Sequence, residues 1–303
     1  MTRKMAAPHK QKIGKPKIGV FDSGVGGLTV LRALVDHIPD ADYLYFGDTA
    51  RLPYGSKSAA TVAHYAVGAV RYLQNQGAER LVIACNTATA LALDKIRAAA
   101  GVEVIGVVEP GAEAAAAATR KRKVVVIGTE ATIGSHAYRR ALEARKVAVR
   151  EKACPLLVPL VEEGWVEHTV TEQVARIYLS EAFSDDAVDF DADVLVLGCT
   201  HYPLIKPLLR RVAPAHVAIV DSAESTAREV ARQLQVEMPP SSARASSVQT
   251  SSVRTSSVQT RSERTGVPQL KFFATDSAEK FRMAGTRFLG LPVEDVVHVD
   301  LKE

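Results

Sequence analysis

The chain of 303 residues carries a formal net charge of +4, and 47% of its residues are hydrophobic while 24% are charged. These proportions are typical of a globular protein, and no apolar run approaches the about 20 residues that a membrane-spanning helix needs. The basic first residues lack the apolar segment of a secretory signal, so neither a membrane partner nor export is expected.

In chain order, short β-branched apolar runs alternate with amphipathic helical patterns. Strands are predicted at 17–21, 43–46, 80–84, 102–106, 123–127, 147–151, 193–197, 217–220, 270–273 and 296–300. Helices are predicted at 27–37, 57–75, 86–100, 136–146, 168–182, 222–236 and 277–288. Alternation of this length is typical of parallel sheets with helices on both faces, which predicts an α/β fold.

Two segments stand apart from this pattern and hold the excess positive charge. Residues 1–16 contain five Lys or Arg and no acid, and residues 239–268 contain four Arg, one Glu and the repeat SSVQT, SSVRT, SSVQT. Such compositions bury little apolar surface, so we predict a disordered basic arm and a disordered insert. Because the rest of the chain is net negative, no folded basic face is expected and nucleic acid is an unlikely partner.

The chain has three cysteines, Cys85, Cys154 and Cys199. An odd number without CxxC spacing argues against a disulfide framework and against a metal site. A reducing cytoplasm is therefore the expected location. A cysteine at the end of a strand is most often a small buried hydrophobe, and Cys154, which precedes a proline, keeps that interpretation.

Cys85 and Cys199 occupy similar turns, LVIACNTAT at 81–89 and LVLGCTHYP at 195–203. In each, an apolar strand ends at a cysteine followed by polar residues, which indicates two similar α/β domains. Ligands bind beyond the carboxyl ends of parallel strands, and a helix N-terminus there attracts anions and lowers the pKa of a thiol. Two thiols facing one anion site suit reversible proton transfer on an anionic substrate.

The turn DSGVGG at 22–27 follows the first predicted strand. Its first glycines fit a dinucleotide-binding pattern, but Thr29 stands where the third glycine belongs. A cradle for a small carboxylate fits this turn better than a dinucleotide site does.

Several segments together closely resemble the glutamate racemases of the aspartate/glutamate racemase superfamily. They are GVFDSGVGGLTVL, YFGDTARLPYGSKS, LVIACNTAT, CPLLVPLVEEG, LGCTHYPLI and the terminal EKFRMAGTRFLG with HVDL. The resemblance covers about 17–238 and 269–301. It implies two α/β domains, formed by 17–110 plus 222–303 and by 111–221, with the active site between them. It also implies a homodimer that supplies D-glutamate for peptidoglycan from L-glutamate and needs no cofactor.

The resemblance also assigns roles to residues. It implies that Cys85 deprotonates D-glutamate and Cys199 deprotonates L-glutamate. Asp22 matches the acid beside the first cysteine, and Glu162, rather than the adjacent Glu163, matches the partner of His201 beside the second. The implied substrate contacts are Asp22, Ser23, Tyr54, Gly55, Asn86, Thr87, Thr200 and His201.

Two other classes of function remain open at this point. A cysteine hydrolase would use Cys199 as nucleophile and His201 as base, but it would leave Cys85 without a role. A dithiol sensor, or a regulator that binds nucleic acid through its basic tails, would use neither cysteine as an acid or base.

Overall fold

The computed structural model describes residues 15–185, 188–237 and 267–301. The predicted arm at 1–16 and the predicted insert at 239–268 lie almost entirely outside the described residues. Strands are β1 Lys17–Asp22, β2 Asp42–Gly47, β3 Arg80–Ile83, β4 Glu103–Gly106, β5 Lys123–Gly128, β6 Ala148–Ala153, β7 Ser184–Asp185, β8 Val188–Asp189, β9 Val194–Gly198, β10 Ala218–Asp221, β11 Leu270–Ala274 and β12 Val296–His298.

The α-helices lie between these strands. They are α1 Leu28–His37, α2 Ala59–Asn75, α3 Asn86–Ala99, α4 Val108–Ala118, α5 Glu130–Gly134, α6 Ala137–Glu143, α7 Leu157–Glu162, α8 Thr169–Phe183, α9 Lys206–Val212, α10 Ser222–Glu237 and α11 Ala278–Leu289. Short 3-10 helices cover Thr49–Arg51, Tyr54–Ser56 and Tyr202–Ile205.

The strands form two parallel sheets and one short antiparallel pair, β7 with β8. The first sheet has the order β12-β11-β2-β1-β3-β4, and the second has the order β10-β9-β5-β6. Numbered within its own half of the chain, each sheet contains a core of order 2-1-3-4, built from β1 to β4 in one half and from β5, β6, β9 and β10 in the other. The prediction of two similar α/β units is confirmed.

The central strands explain why the alternating sequence takes this form. In β1, β3 and β9 nearly every residue is buried, as expected for parallel strands covered on both faces. Neighbouring side chains point to opposite faces, so Val20 belongs to one apolar cluster and Phe21 to another. The cluster that contains Val20 also contains Leu195 and Val230, so one apolar core joins the two halves.

Helix α4 was not predicted, and the predicted domain boundary at 110/111 falls inside it. Its sequence VEPGAEAAAAA has no amphipathic period because an alanine run has no polar face. Alanine nevertheless has the highest helix propensity, and Pro110 lies in the first turn, where its missing N–H is not needed. Helix α10 packs against both α1 and α4. The division of the chain into domains remains a prediction.

Candidate active site

A cavity of about 390 Å³ lies where the carboxyl ends of the two sheets meet. This is the location that parallel sheets provide for ligands. The residues that line it come from both halves of the chain. They are Ser23, Leu52, Pro53, Tyr54, Gly55, Ser56, Cys85, Asn86, Thr87, Thr129, Glu130, Pro155, Val158, Pro159, Glu162, Cys199, Thr200 and His201.

Cys85 forms one side of the cavity. It follows β3 and is the N-cap residue of α3, where its sulfur accepts a hydrogen bond from the Ala88 N–H at 3.4 Å. The thiol lies 3.5 Å from the Ser23 hydroxyl, to which it donates. Burial, and then the nearby charge of Asp22, raise the pKa of Cys85 to about 12. Cys85 is therefore a protonated thiol at neutral pH.

Cys199 follows β9, the strand equivalent to β3 in the second half, and it has a different set of neighbours. Its sulfur lies 3.8 Å from Nδ1 of His201, and Nε2 of the same ring lies 3.0 Å from Oε1 of Glu162. Burial lowers the pKa of His201, but the contacts with Cys199 and Glu162 outweigh burial and raise it to about 10. His201 is therefore a cation at neutral pH. Of the two adjacent glutamates, Glu162 makes the contact.

Asp22 lies behind the first side of the cavity and is fully buried. Its Oδ2 accepts a hydrogen bond from the Gly24 N–H at 2.9 Å, whereas Oδ1 has no hydrogen-bond partner among the described residues. Burial is the largest influence on its pKa and raises it, although the charge of His201 and N–H groups of the DSGVGG turn oppose the shift. A buried carboxylate oxygen without a donor is costly, so this atom is suited to a cationic or hydrogen-bonding partner.

The loop after β2 covers the cavity and is held by a buried carboxylate that was not predicted. Asp48 is fully buried, and its Oδ2 accepts a hydrogen bond from the Tyr54 hydroxyl at 2.6 Å. Its Oδ1 accepts hydrogen bonds from Arg51 at 2.9 Å and from Thr275 at 2.8 Å. Burial, followed by the charge of Asp48, keeps the pKa of Tyr54 far above its ordinary value. The hydroxyl therefore remains a donor and fixes the loop.

Tyr54→Phe is expected to lower the free energy of unfolding by about 1–3 kcal/mol, because one oxygen of the buried Asp48 loses its donor. Urea unfolding of both proteins measures the change. Tyr72→Phe is the matched control, since no hydrogen bond of its hydroxyl is seen within the described residues. Equal stability of Tyr54→Phe and the wild type would contradict a structural role for this contact.

Polar side chains from both halves line the rest of the wall. The Thr87 hydroxyl lies 3.0 Å from that of Thr129, which follows β5 and caps α5. Asn86 accepts a hydrogen bond from the Tyr138 hydroxyl at 2.7 Å and is held in position by it. The backbone of Gly55 also lies against Thr129, since a Cβ on this glycine would be 3.1 Å from the Cβ of Thr129.

The structure brings most of the predicted residues to this cavity. The ten that line it are Ser23, Tyr54, Gly55, Cys85, Asn86, Thr87, Glu162, Cys199, Thr200 and His201. Asp22 lies behind the wall, and Cys154 does not line the cavity. The functional roles of these residues remain predictions.

Thr129 and Glu130 line the cavity but were not predicted. The order of the strands could have indicated these two residues. Thr129 follows β5, the first strand of the second core, as the DSGVGG turn follows β1, the first strand of the first core. Ligands bind where the strand order reverses, between the first and third strands of such cores, so the GTEAT turn at 128–132 was a candidate by position.

Other kinds of site were also sought among the described residues. Across 15–185, 188–237 and 267–301, no group of three or more His, Cys, Asp or Glu side chains is arranged to hold a metal ion. Within the same ranges, no helix combines the length and the apolar character needed to cross a membrane.

Two buried thiols at equivalent strand ends line one cavity between two parallel sheets, an arrangement that suits an α/β enzyme that transfers protons. Comparison with known families agrees with this class, since the Asp/Glu/Hydantoin racemase profile matches residues 18–230. The chain belongs to this racemase family, and within it to the glutamate racemases, on the evidence of its relatives.

The relatives are similar to this chain over nearly its whole length. Glutamate racemase from Koribacter versatilis is 62% identical over 288 residues, which cover 95% of this chain and 98% of that protein. The structure of a glutamate racemase isoform from Bacillus anthracis has a TM-score of 0.81 at 34% identity and covers 94% of this chain and 98% of its own. Francisella tularensis glutamate racemase, solved in complex with D-glutamate, has a TM-score of 0.78 at 33% identity, with coverage of 95% and 98%.

Proposed function

We propose that the protein interconverts L- and D-glutamate without a cofactor, and that Cys85 and Cys199 act on opposite faces of the α-carbon. The observation that carries this proposal is that the two thiols line one cavity from equivalent strand ends of two similar units. Racemisation requires proton removal on one face and proton delivery on the other, and two acid–base groups on opposite walls meet that requirement.

The polar wall fits a dicarboxylic amino acid. The side chains of Ser23, Asn86, Thr87 and Thr200 and the N–H groups at the start of α3 offer hydrogen-bond donors to carboxylates. Asp22 lies behind this wall, and we propose that its buried carboxylate, one oxygen of which has no hydrogen-bond partner among the described residues, attracts the ammonium group through the wall. A solved relative in complex with D-glutamate supports this choice of substrate.

The reaction from L-glutamate begins with the thiolate of Cys199. It takes the α-proton to form an S–H bond, and the C–H electron pair stays on the substrate as a carbanion delocalised into the α-carboxylate. Cys85 then gives its proton to the opposite face and becomes a thiolate. Each turnover therefore moves one proton onto Cys199 and one proton away from Cys85, and the enzyme is left ready for the reverse reaction.

The charges around the two thiols favour the first step of the reaction from L-glutamate. The raised pKa of Cys85 keeps a proton available for delivery, and the cationic His201 attracts negative charge on the neighbouring sulfur of Cys199. When bound substrate displaces water from the cavity, hydrogen bonds to the developing negative charge on the carboxylate become stronger, because the local dielectric constant falls.

Racemisation of protiated L-glutamate in heavy water tests the two-base mechanism. At low conversion, D-glutamate is expected to be almost fully deuterated at Cα, because Cys85 has exchanged with solvent before it delivers. Unreacted L-glutamate is expected to remain protiated, because a return to it uses the abstracted proton. Mass spectrometry of the separated enantiomers measures both.

A single base that serves both faces would carry protium across, so early D-glutamate rich in protium would contradict the proposal. The hydrolase alternative predicts that no D-glutamate forms in this assay, and that acid or ammonia is released when esters or amides are supplied in a separate one.

We also propose that the protein is a cytoplasmic homodimer that supplies D-glutamate for peptidoglycan. Three free cysteines, two of them needed as thiols, support a reducing location. Sedimentation of the purified chain tests the dimer, and a monomer across the working concentration range would contradict it.

A further inference from the structure

Helix α7 carries Glu162, the carboxylate that contacts His201, and the way this helix ends exposes one carbonyl. The Gly164 N–H donates to the Val161 carbonyl at 3.0 Å, and the Trp165 N–H donates to the Leu160 carbonyl at 2.9 Å. This is the Schellman closure of a helix. It satisfies the carbonyls of Leu160 and Val161 and leaves that of Glu162 without a donor from the closure.

The missing donor comes from the other half of the chain. Nη1 of Arg287, on α11, donates to the Glu162 carbonyl at 3.0 Å. Gly164 makes the approach possible, because it has a positive φ of +82° and a Cβ there would lie 2.8 Å from Nη1 of Arg287. A cation at this position also complements the partial negative charge at the end of α7.

The next residue of α11 contacts the other member of the pair. The edge-to-face contact between Phe288 and His201 has a centroid distance of 5.2 Å and an interplanar angle of 81°. Phe288 is buried. An edge-to-face contact between aromatic rings restricts their mutual orientation, so the ring of Phe288 limits how the imidazole can tilt toward the sulfur of Cys199.

We propose that α11 is a positioning element for one side of the reaction: Arg287 fixes the backbone of Glu162 and Phe288 fixes the ring of His201. The two residues are adjacent in sequence, and each contacts a different member of the Glu162–His201 pair. Cys85 is held by different neighbours, Ser23 and Ala88. Helix α11 therefore serves proton transfer at Cys199 and not at Cys85. The inference depends on the proposed function, in which Cys199 acts on L-glutamate.

Overall rates cannot show which face is affected. Because the enantiomers have equal free energies, kcat/KM is equal in the two directions for every variant. Isotope effects do separate the faces, since deuterium at Cα of L-glutamate reports on transfer to Cys199 and deuterium at Cα of D-glutamate reports on transfer to Cys85. Slower transfer at Cys199 raises the first isotope effect and lowers the second.

The test uses Arg287→Met, which keeps an unbranched side chain and removes the donors. We expect kcat/KM to fall by about tenfold, as small displacements of a catalytic group can cause. The α-deuterium isotope effect on kcat/KM is expected to rise from L-glutamate and to fall from D-glutamate. Phe288→Leu, which keeps an apolar side chain but lacks the ring edge, is expected to shift both isotope effects in the same directions.

Two further variants separate positioning from general loosening. Arg287→Lys, which keeps a cationic donor, is expected to restore part of the rate and of the wild-type isotope effects. Arg282→Met, at another exposed position of α11, is the matched control and is expected to leave both isotope effects at wild-type values. Circular dichroism and thermal unfolding establish that each variant is folded.

The outcomes distinguish this inference from the function on which it depends. Absence of racemisation by the wild type would overturn the proposed function. Racemisation with unchanged isotope effects in Arg287→Met and Phe288→Leu would overturn the positioning role alone. A shift of opposite sign would overturn the assignment of α11 to the Cys199 face.

Discussion

Cys85→Ser and Cys199→Ser are each expected to lower racemisation by about 10²–10⁴-fold, the range that a positioned acid or base contributes. Serine is close in size to cysteine, so the cavity is preserved. Its hydroxyl is a far weaker acid, and its alkoxide is not available near neutral pH. Polarimetry with L-glutamate and with D-glutamate measures the loss in both directions.

Cys154→Ser is the matched control for these variants. Cys154 is buried like the other two cysteines, but it does not line the cavity. We expect this variant to retain most of the activity, with any loss accounted for by stability. An inactive Cys154→Ser together with an active Cys85→Ser would show that the site has been assigned to the wrong thiols.

Gly26→Ala is expected to lower kcat/KM by about 100-fold or more while the protein remains folded. A Cβ on Gly26 would lie 2.4 Å from Oγ1 of Thr200 and 2.6 Å from Nδ1 of His201. Real Cβ atoms do not approach so closely, so the DSGVGG turn and the residues after Cys199 must separate. Displacements of this size remove alignment between reacting groups. Steady-state kinetics and circular dichroism measure activity and folding.

Gly68→Ala provides the comparison for this substitution. Its Cβ would meet only Leu301 Cδ1, at an ordinary distance of 3.8 Å. Because Gly68 lies inside α2, alanine there is expected to stabilise the helix slightly and to leave activity unchanged. If Gly26→Ala were as active as Gly68→Ala, the prediction would be wrong. The site would then tolerate separation of the DSGVGG turn from the residues after Cys199.

Site residues could be predicted from the sequence where a chemically distinctive residue type lies at the end of a recognisable strand. Cys85 and Cys199 were identifiable because a rare residue type ends two similar apolar strands, and His201 is only two residues from Cys199. Glu162 was identified from the resemblance, although α7, the helix that carries it, was not predicted. These residues are marked by local sequence, so no knowledge of the sheet order was needed.

The missed residues depend on contacts that no local pattern records. Thr129 is an ordinary residue in sequence and becomes notable only once β5 is known to correspond to β1. Asp48 looks like a loop residue, yet it is buried and bound by Thr275, 227 residues away. Arg287 approaches Glu162 across 125 residues of sequence. Long-range pairings of this kind follow from the topology of the sheets rather than from composition.

The return of the chain to the first sheet has a consequence for synthesis on the ribosome. The second sheet is formed by one continuous stretch, 123–221, whereas the first sheet receives β11 and β12 from the last part of the chain. Continuous units fold as they emerge, so the second sheet can form while the first still lacks two strands. The loop anchor Thr275 and the contacts of α11 with Glu162 and His201 also emerge late. A nascent chain therefore carries Cys85 and Cys199 well before the last segments that complete the walls around them have been made.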